Sequence, residues 1–138
     1  MAAHVFHEIY LHFTWHTQGD LPLLTPQLER DTHAFIRERC AQTEGAYFLG
    51  IGGTSTHIHL VVKLEPSIAP SLFLGDLKGA VARAANKARG RQSIRWQRGS
   101  GVVSFAKKHV KPVLAYVANQ KRRHAGGDLR DALERATF

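Results

Sequence analysis

Two histidines, His57 and His59, stand two residues apart in the run "GTSTHIHLVVKL". The run is rich in β-formers. Strand geometry puts alternate residues on one face, so the two imidazoles are neighbours while Ile58 points the other way. Paired neutral imidazoles can hold one divalent cation through their ring nitrogens. Two ligands do not complete a centre, and with nine histidines in the chain an HxH pair alone is a weak signal. A second pair adds weight. Tyr116 and Gln120 lie four apart in "VLAYVANQKRRH", which stacks them on one side of a helix beside the apolar Val113 and Val117. A glutamine oxygen can serve as a neutral metal ligand. A phenol can attack phosphorus when a cation polarises the phosphoryl oxygen and the phenolic proton has somewhere to go. Without the histidines, the same two residues read as the packing and solvated positions of an amphipathic helix.

The elements that must position these side chains follow from pattern. "VFHEIYLHFTWHT" reads as a first strand, central because neither face is consistently polar. A helix follows, with Thr25 as its cap, Pro26 in its first turn, and Leu28, Phe35 and Ile36 on one face. "GAYFLGIGGTSTHIHLVVKL" reads as a hairpin broken at Gly52 and Gly53. The second helix carries Phe73, Leu77, Ala80, Val81 and Ala84 on a common face, with Gly75 and Gly79 as points of close packing. A basic, glycine-broken connection leads into a short last strand. A final helix runs from Pro112 to a stop at Gly126 and Gly127. The order β-α-β-β-α-β plus one helix predicts an α+β fold, with one antiparallel sheet and two crossover helices on one face. With 138 residues, 43% of them hydrophobic, the chain is read as one domain over 1–138 with a short tail from about 128.

Charge points to the partner. From Leu77 to Gly127 there are 13 lysines and arginines and no acidic residue, whereas the first 76 residues carry four basic side chains and eight acidic ones. A large single-sign field draws in a polyanion, and each phosphate contact contributes salt-dependent affinity without sequence readout. The candidate DNA-binding residues are therefore Lys78, Arg83, Lys87, Arg89, Arg91, Arg95, Arg98, Lys107, Lys108, Lys111, Lys121, Arg122 and Arg123. Trp96 is either a base-stacking platform or a core residue. No segment reaches the roughly 18 apolar residues of a membrane helix. The N-terminus lacks the pattern of a secretory signal. The single cysteine, Cys40, excludes an internal disulfide framework. The expectation is a cytoplasmic protein with no membrane partner.

These stretches together resemble the single-tyrosine HUH transposases, and most of all their REP-associated tyrosine transposase branch. The resemblance runs through "YLHFTWHTQGDLPLL", "GGTSTHIHLVV", "LGDLKGAVARAANK", "IRWQRGSGVVSF" and "VLAYVANQKRRH", which is nearly the whole chain. It implies a ferredoxin-like βαββαβ sheet with an additional C-terminal catalytic helix. It also implies Tyr116 as the nucleophile, with His57, His59 and Gln120 as the metal-binding side chains and Mg²⁺ or Mn²⁺ as the cofactor. The implied activity is cleavage and transfer of single-stranded DNA near hairpins through a 5′-phosphotyrosine intermediate. A homodimer is implied too, with Tyr116 facing the histidines either of its own subunit or of its partner. The chain departs from the family's pattern in three places. Thr56 stands where an aspartate commonly precedes the first histidine, Ser100 where an aromatic is usual, and Gln18 where a basic residue often follows the first strand. Two alternatives stay open: a DNA- or RNA-hairpin-binding protein with little chemistry, and a metal-dependent phosphodiesterase with no covalent intermediate.

Overall fold

The first strand, β1 (Tyr10–His16), has two buried faces of opposite chemistry. Leu11, Phe13 and Trp15 alternate onto one face and enter the main apolar core. His12, Thr14 and His16 point to the other, where His12 and Thr14 are buried as well. A strand that is covered on both sides belongs in the middle of a sheet, and β1 lies between β3 (His57–Leu64) and β4 (Gly101–Phe105). With β2 (Ala46–Gly53) outside β3, the sheet order is β2-β3-β1-β4 and every pairing is antiparallel. The computed structural model describes residues 5–90, 93–127 and 129–136.

One face of the sheet is covered by α1 (Pro26–Ala41) and α2 (Pro70–Arg89). Thr25 caps α1 by accepting a hydrogen bond from the Leu28 amide at 3.4 Å, and Pro26 opens the helix, where no amide partner is needed. Leu28, Ile36 and Cys40 from α1 meet Phe73, Leu74, Leu77 and Val81 from α2 over Ile58, Leu60 and Val62 of β3. This is the α+β architecture of the ferredoxin-like plan, and burial of these side chains is its main stabilising term. The other face carries α3 (Val110–Ala118), whose Val113 and Val117 pack on Val61. Two shorter helices follow, α4 (Gln120–Gly126) and α5 (Asp131–Glu134). Among the described residues no helix is long and apolar enough to cross a membrane.

Four details differ from the sequence reading. First, β2 runs through Gly53 and the hairpin turns at Thr54–Thr56. Gly52 is needed for another reason: a Cβ there would fall far inside van der Waals contact with the Val117 carbonyl oxygen. The glycine lets α3 lie directly on the sheet, so a side chain at this position would displace the helix that bears Tyr116. Second, Gly75 of α2 faces open space and Gly79 meets only the flexible end of Arg83, so neither marks a helix contact. Third, the last helix breaks at Asn119 (φ −106, ψ 25), which separates α3 from α4. Fourth, the tail after Gly127 folds back onto the sheet. Thr14 Oγ1 donates to the Leu133 carbonyl at 3.0 Å, and Gly101 lacks a Cβ where the Arg135 carbonyl passes.

Candidate metal centre and nucleophile

Strand register assembles the first half of the site. β1 sets His16 opposite His57 and Thr14 opposite His59, all on the face away from the main core. His57 and His59 are 2% and 0% exposed. Each ring is fixed through its Nδ1. That of His57 lies 3.0 Å from the Thr54 hydroxyl and 3.0 Å from the Thr56 hydroxyl. That of His59 lies 2.8 Å from His12 Nε2 and 3.3 Å from the Thr14 hydroxyl. A neutral imidazole whose Nδ1–H is donated to such a partner presents the Nε2 lone pair, as a metal-ligating histidine does. Thr56 therefore keeps the place of a partner behind His57, as a neutral hydroxyl in place of a carboxylate. His16 stacks on His57 with ring centroids 4.8 Å apart, and its own Nδ1 is 2.6 Å from the Asp20 carboxylate.

The second half comes from the C-terminal elements of the same chain. Gln120 donates from Nε2 to the Tyr116 carbonyl at 3.2 Å, which turns its Oε1 toward the histidines. That oxygen lies 3.3 Å from His57 Nε2 and 2.9 Å from His124 Nε2. Glu134, delivered by α5, reaches between the two halves. Its Oε1 is 3.2 Å from His59 Nε2, 3.6 Å from His57 Nε2 and 3.4 Å from His124 Nε2. Its Oε2 accepts a hydrogen bond from the Tyr116 hydroxyl, which itself accepts one from the Arg130 amide at 3.0 Å. Tyr116 is 0% exposed, with its ring edge-on to His59 and the Arg123 guanidinium over its face.

The chemistry of this donor set fits a divalent cation. Ligand atoms of His57, His59, His124 and Glu134 all lie within 4.8 Å of one another. Bonds of about 2.0–2.2 Å to a shared ion would place donors roughly 3–4.4 Å apart. His59 Nε2 is wholly buried and faces Glu134 Oε1 at 3.2 Å, so it points into the donor cluster and away from solvent. The structure thus brings together His57, His59, Gln120 and Tyr116, all expected from the sequence, and adds His124, Glu134 and His12, which were not. His124 was legible, because it lies four residues beyond Gln120 on the same helical side. Glu134 was not, because its arrival depends on the chain reversal after Gly127.

Burial lowers the His12 pKa to about 3, helped by His59 and opposed by Glu134. Burial likewise lowers His57 to about 4, with His59, His16 and His124 acting in the same direction. For Glu134, burial acts to raise the pKa, but its contacts with His59, Tyr116 and His57 win and hold it at about 2. Burial raises the Tyr116 phenol above its ordinary value, the Arg130 amide opposes this, and Glu134 adds to the rise. The folded protein keeps His12 and His57 neutral at pH values where the unfolded chain takes up protons. Without a cation, stability should therefore fall as pH drops from about 7 to about 5, by roughly 1 kcal/mol per pH unit for each histidine. Glu134 is ionised in both states over most of that window and adds little to the slope. Urea midpoints measured in chelator at the two pH values check this; an equal or higher midpoint at the lower pH would contradict it.

The basic candidates divide by environment. Arg83, Lys87, Arg89, Arg95, Arg98, Lys107, Lys108, Lys111 and Arg122 are exposed and present charge to solvent. Three others have partners within the protein. Lys78 is half-buried and donates to the carbonyls of Gln97 and Gly99 and to the Ser100 hydroxyl, each at 3.2 Å. Lys121 pairs with the nearly buried Glu29 at 2.7 Å, and Arg123 lies over the Tyr116 ring. Arg91 lies outside the described residues. Trp96 packs edge-on against Trp15 and donates to the Lys78 carbonyl, which makes it a support for the basic loop.

Comparison with known proteins bears on the fold and on the family. A search of curated proteins by sequence gives no match. Among solved structures, a "putative transposase" from Deinococcus radiodurans R1 shares the fold with a TM-score of 0.68 at 18% identity, over 87% of this chain and 96% of that one. A REP-associated tyrosine transposase bound to a REP hairpin gives a TM-score of 0.62 at 15% identity, over 94% of this chain and 76% of the other. The family model described as "Transposase IS200 like" matches residues 5–120, a span that contains the histidine pair, Tyr116 and Gln120. The chain is thus a member of the single-tyrosine HUH, IS200-like transposase family of enzymes.

Proposed function

We propose that the protein cuts and rejoins single-stranded DNA through a 5′-phosphotyrosine intermediate on Tyr116. The observation that carries this reading is the position of Glu134. One carboxylate oxygen accepts from the Tyr116 hydroxyl while the other faces three histidine Nε2 atoms. A carboxylate bridging nucleophile and ligand set stands where a scissile phosphate would be held. His57, His59 and Gln120 would hold the cation, Mg²⁺ or Mn²⁺, with His124 and Glu134 beside them. A cation bound there would polarise the phosphate and stabilise the charge that develops on it. Tyr116 forms its oxygen–phosphorus bond as its proton passes to solvent water. The bond from phosphorus to the 3′ oxygen breaks, and that oxygen leaves as a hydroxyl after gaining a proton from solvent. Phosphoester number is conserved, so the strand can be rejoined without a high-energy cofactor.

Exposed arginines and lysines of the 83–122 region would follow the DNA backbone, and the likeness to a hairpin-bound relative supports a hairpin-bearing single strand as the substrate. The protein would act on DNA in the cytoplasm. A homodimer is part of the reading, since among the described residues β2 and β4 end the sheet and an edge strand can pair with that of a second copy. Light scattering that gave only the 15.4 kDa mass for active protein would contradict it. The direct test is incubation with single-stranded hairpins plus Mg²⁺ or Mn²⁺, followed by a denaturing gel. A protein–DNA adduct is expected. Cleavage without an adduct would instead support a phosphodiesterase.

One observation favours a second reading, a hairpin-binding protein with suppressed chemistry: Tyr116 is fully enclosed, and a strand cannot reach it while Glu134 is in place. Both readings make the tail decisive. Ending the chain after Gly127 removes Arg130, Leu133 and Glu134 from the nucleophile, and adduct formation should speed up roughly 10–100-fold as the closed population is lost. Hairpin binding with no adduct from either the full chain or the shortened one would favour the second reading.

A further inference from the structure

The ring of His124 closes the site from the solvent side, and it has no counterpart among the ligands expected from the sequence. We infer that His124 is a third imidazole ligand and that it makes the site select a transition-metal dication over magnesium. This rests on the reading of the site as a divalent-cation centre and names which cation that centre takes.

Geometry supplies the first argument. His124 lies in α4, four residues after Gln120, and its ring centroid is 4.6 Å from that of His57. Its Nε2 faces the same point as those of His57 and His59, 3.4 Å from Glu134 Oε1 and 2.9 Å from Gln120 Oε1. The side chain is 30% exposed, so it can reach the ion without a large burial cost. The helix is also held in place. Lys121, on the next residue after Gln120, pairs with Glu29 of α1 at 2.7 Å. Glu29 is itself 9% exposed, which ties α4 to the rigid helical layer on the edge of the sheet.

Donor chemistry supplies the second. Magnesium takes oxygen ligands in an octahedron and keeps several waters, and nitrogen donors suit it poorly. Imidazole favours first-row transition metals, with affinity rising from Mn²⁺ toward Cu²⁺. With His57, His59, Gln120 and Glu134 alone, nitrogen and oxygen donors are balanced, two of each. Adding His124 gives three ring nitrogens against the Gln120 and Glu134 oxygens, and each nitrogen penalises magnesium further. Glu134 comes from a four-residue helix at the end of the tail, so it is the member that a phosphate oxygen of DNA can displace. The three histidines remain.

Titration of the DNA-free protein with Mn²⁺ and with Mg²⁺, followed by calorimetry and by electron paramagnetic resonance, tests this apart from activity. Wild-type protein should bind Mn²⁺ at least about 100-fold more tightly than Mg²⁺, as expected of a nitrogen-rich site. Pulsed spectra should show nitrogen couplings from three histidines. His124→Ala should weaken Mn²⁺ binding by about 10-fold or more, change Mg²⁺ binding by less than about threefold, and remove one of the three couplings. Circular dichroism of the variant should match wild type. Unchanged Mn²⁺ affinity in His124→Ala, or two nitrogen couplings in wild type, would overturn the inference and leave the cation centre itself standing. Wild-type protein that binds neither ion would overturn both.

Discussion

Tyr116→Phe should abolish the covalent protein–DNA adduct, with a fall of at least about 10⁴-fold, while hairpin affinity stays within about threefold. The variant loses only the hydroxyl. The ring still fills its place against His59 and under Arg123, so the packing of α3 on the sheet is retained. The folded state loses two hydrogen bonds, those with Glu134 and the Arg130 amide. Both partners lie in the tail and gain access to water when it opens, so the cost is about 1 kcal/mol. Loosening the tail by itself would admit DNA more readily. A loss of adduct in this variant therefore cannot arise from a closed site, and it isolates the nucleophile. A Tyr116→Phe protein that formed the adduct at the wild-type rate would remove Tyr116 from the chemistry.

His59→Ala should reduce cation-dependent cleavage by about 10³-fold or more, because it takes away a buried donor that no other side chain can replace. His59 is 0% exposed and is oriented by His12 and Thr14, so water entering the gap would bring neither its basicity nor its direction. His12→Ala acts through His59 and should have a smaller effect, about 10–100-fold, as is usual for groups that orient a ligand. The ratio matters as much as the size. Equal losses in the two variants would mean that the pair acts only as buried packing. DNA binding measured in chelator should be little changed in both, since the contacts proposed for the DNA backbone come from exposed arginines and lysines and not from this pair.

Much of this was legible in the sequence because it rests on local periodicity. The two-residue spacing of His57 and His59 fixes a shared strand face, and the polar–apolar alternation of Leu11 to His16 fixes which face of the central strand they join. Thr25 and Pro26 announce a helix start through capping chemistry that needs no tertiary information. The parts that were not legible depend on contacts distant in sequence. Gly52 reads as a turn residue until the Val117 carbonyl is seen resting on it. Lys78 and Lys121 read as surface charge until a loop of carbonyls and the Glu29 carboxylate claim them. Glu134 sits in a segment whose composition suggests only a solvated tail. Its role as the carboxylate between Tyr116 and the histidines arises from the chain reversal after Gly127 and a glycine at 101 that lets the returning backbone pass.

The most direct measurement is to identify the residue and the DNA end joined in the adduct. An internally labelled hairpin oligonucleotide is incubated with protein and Mn²⁺, the adduct is digested with protease, and the nucleotide-bearing peptide is sequenced by mass spectrometry. The chain has three tyrosines, Tyr10, Tyr47 and Tyr116, so the assignment is unambiguous. The nucleotide's 5′ phosphate is expected on Tyr116, with a released fragment whose free 3′ hydroxyl a polymerase can extend. Attachment to Tyr10, Tyr47 or a non-tyrosine residue, or a bond to the 3′ phosphate of the opposite fragment, would contradict that expectation.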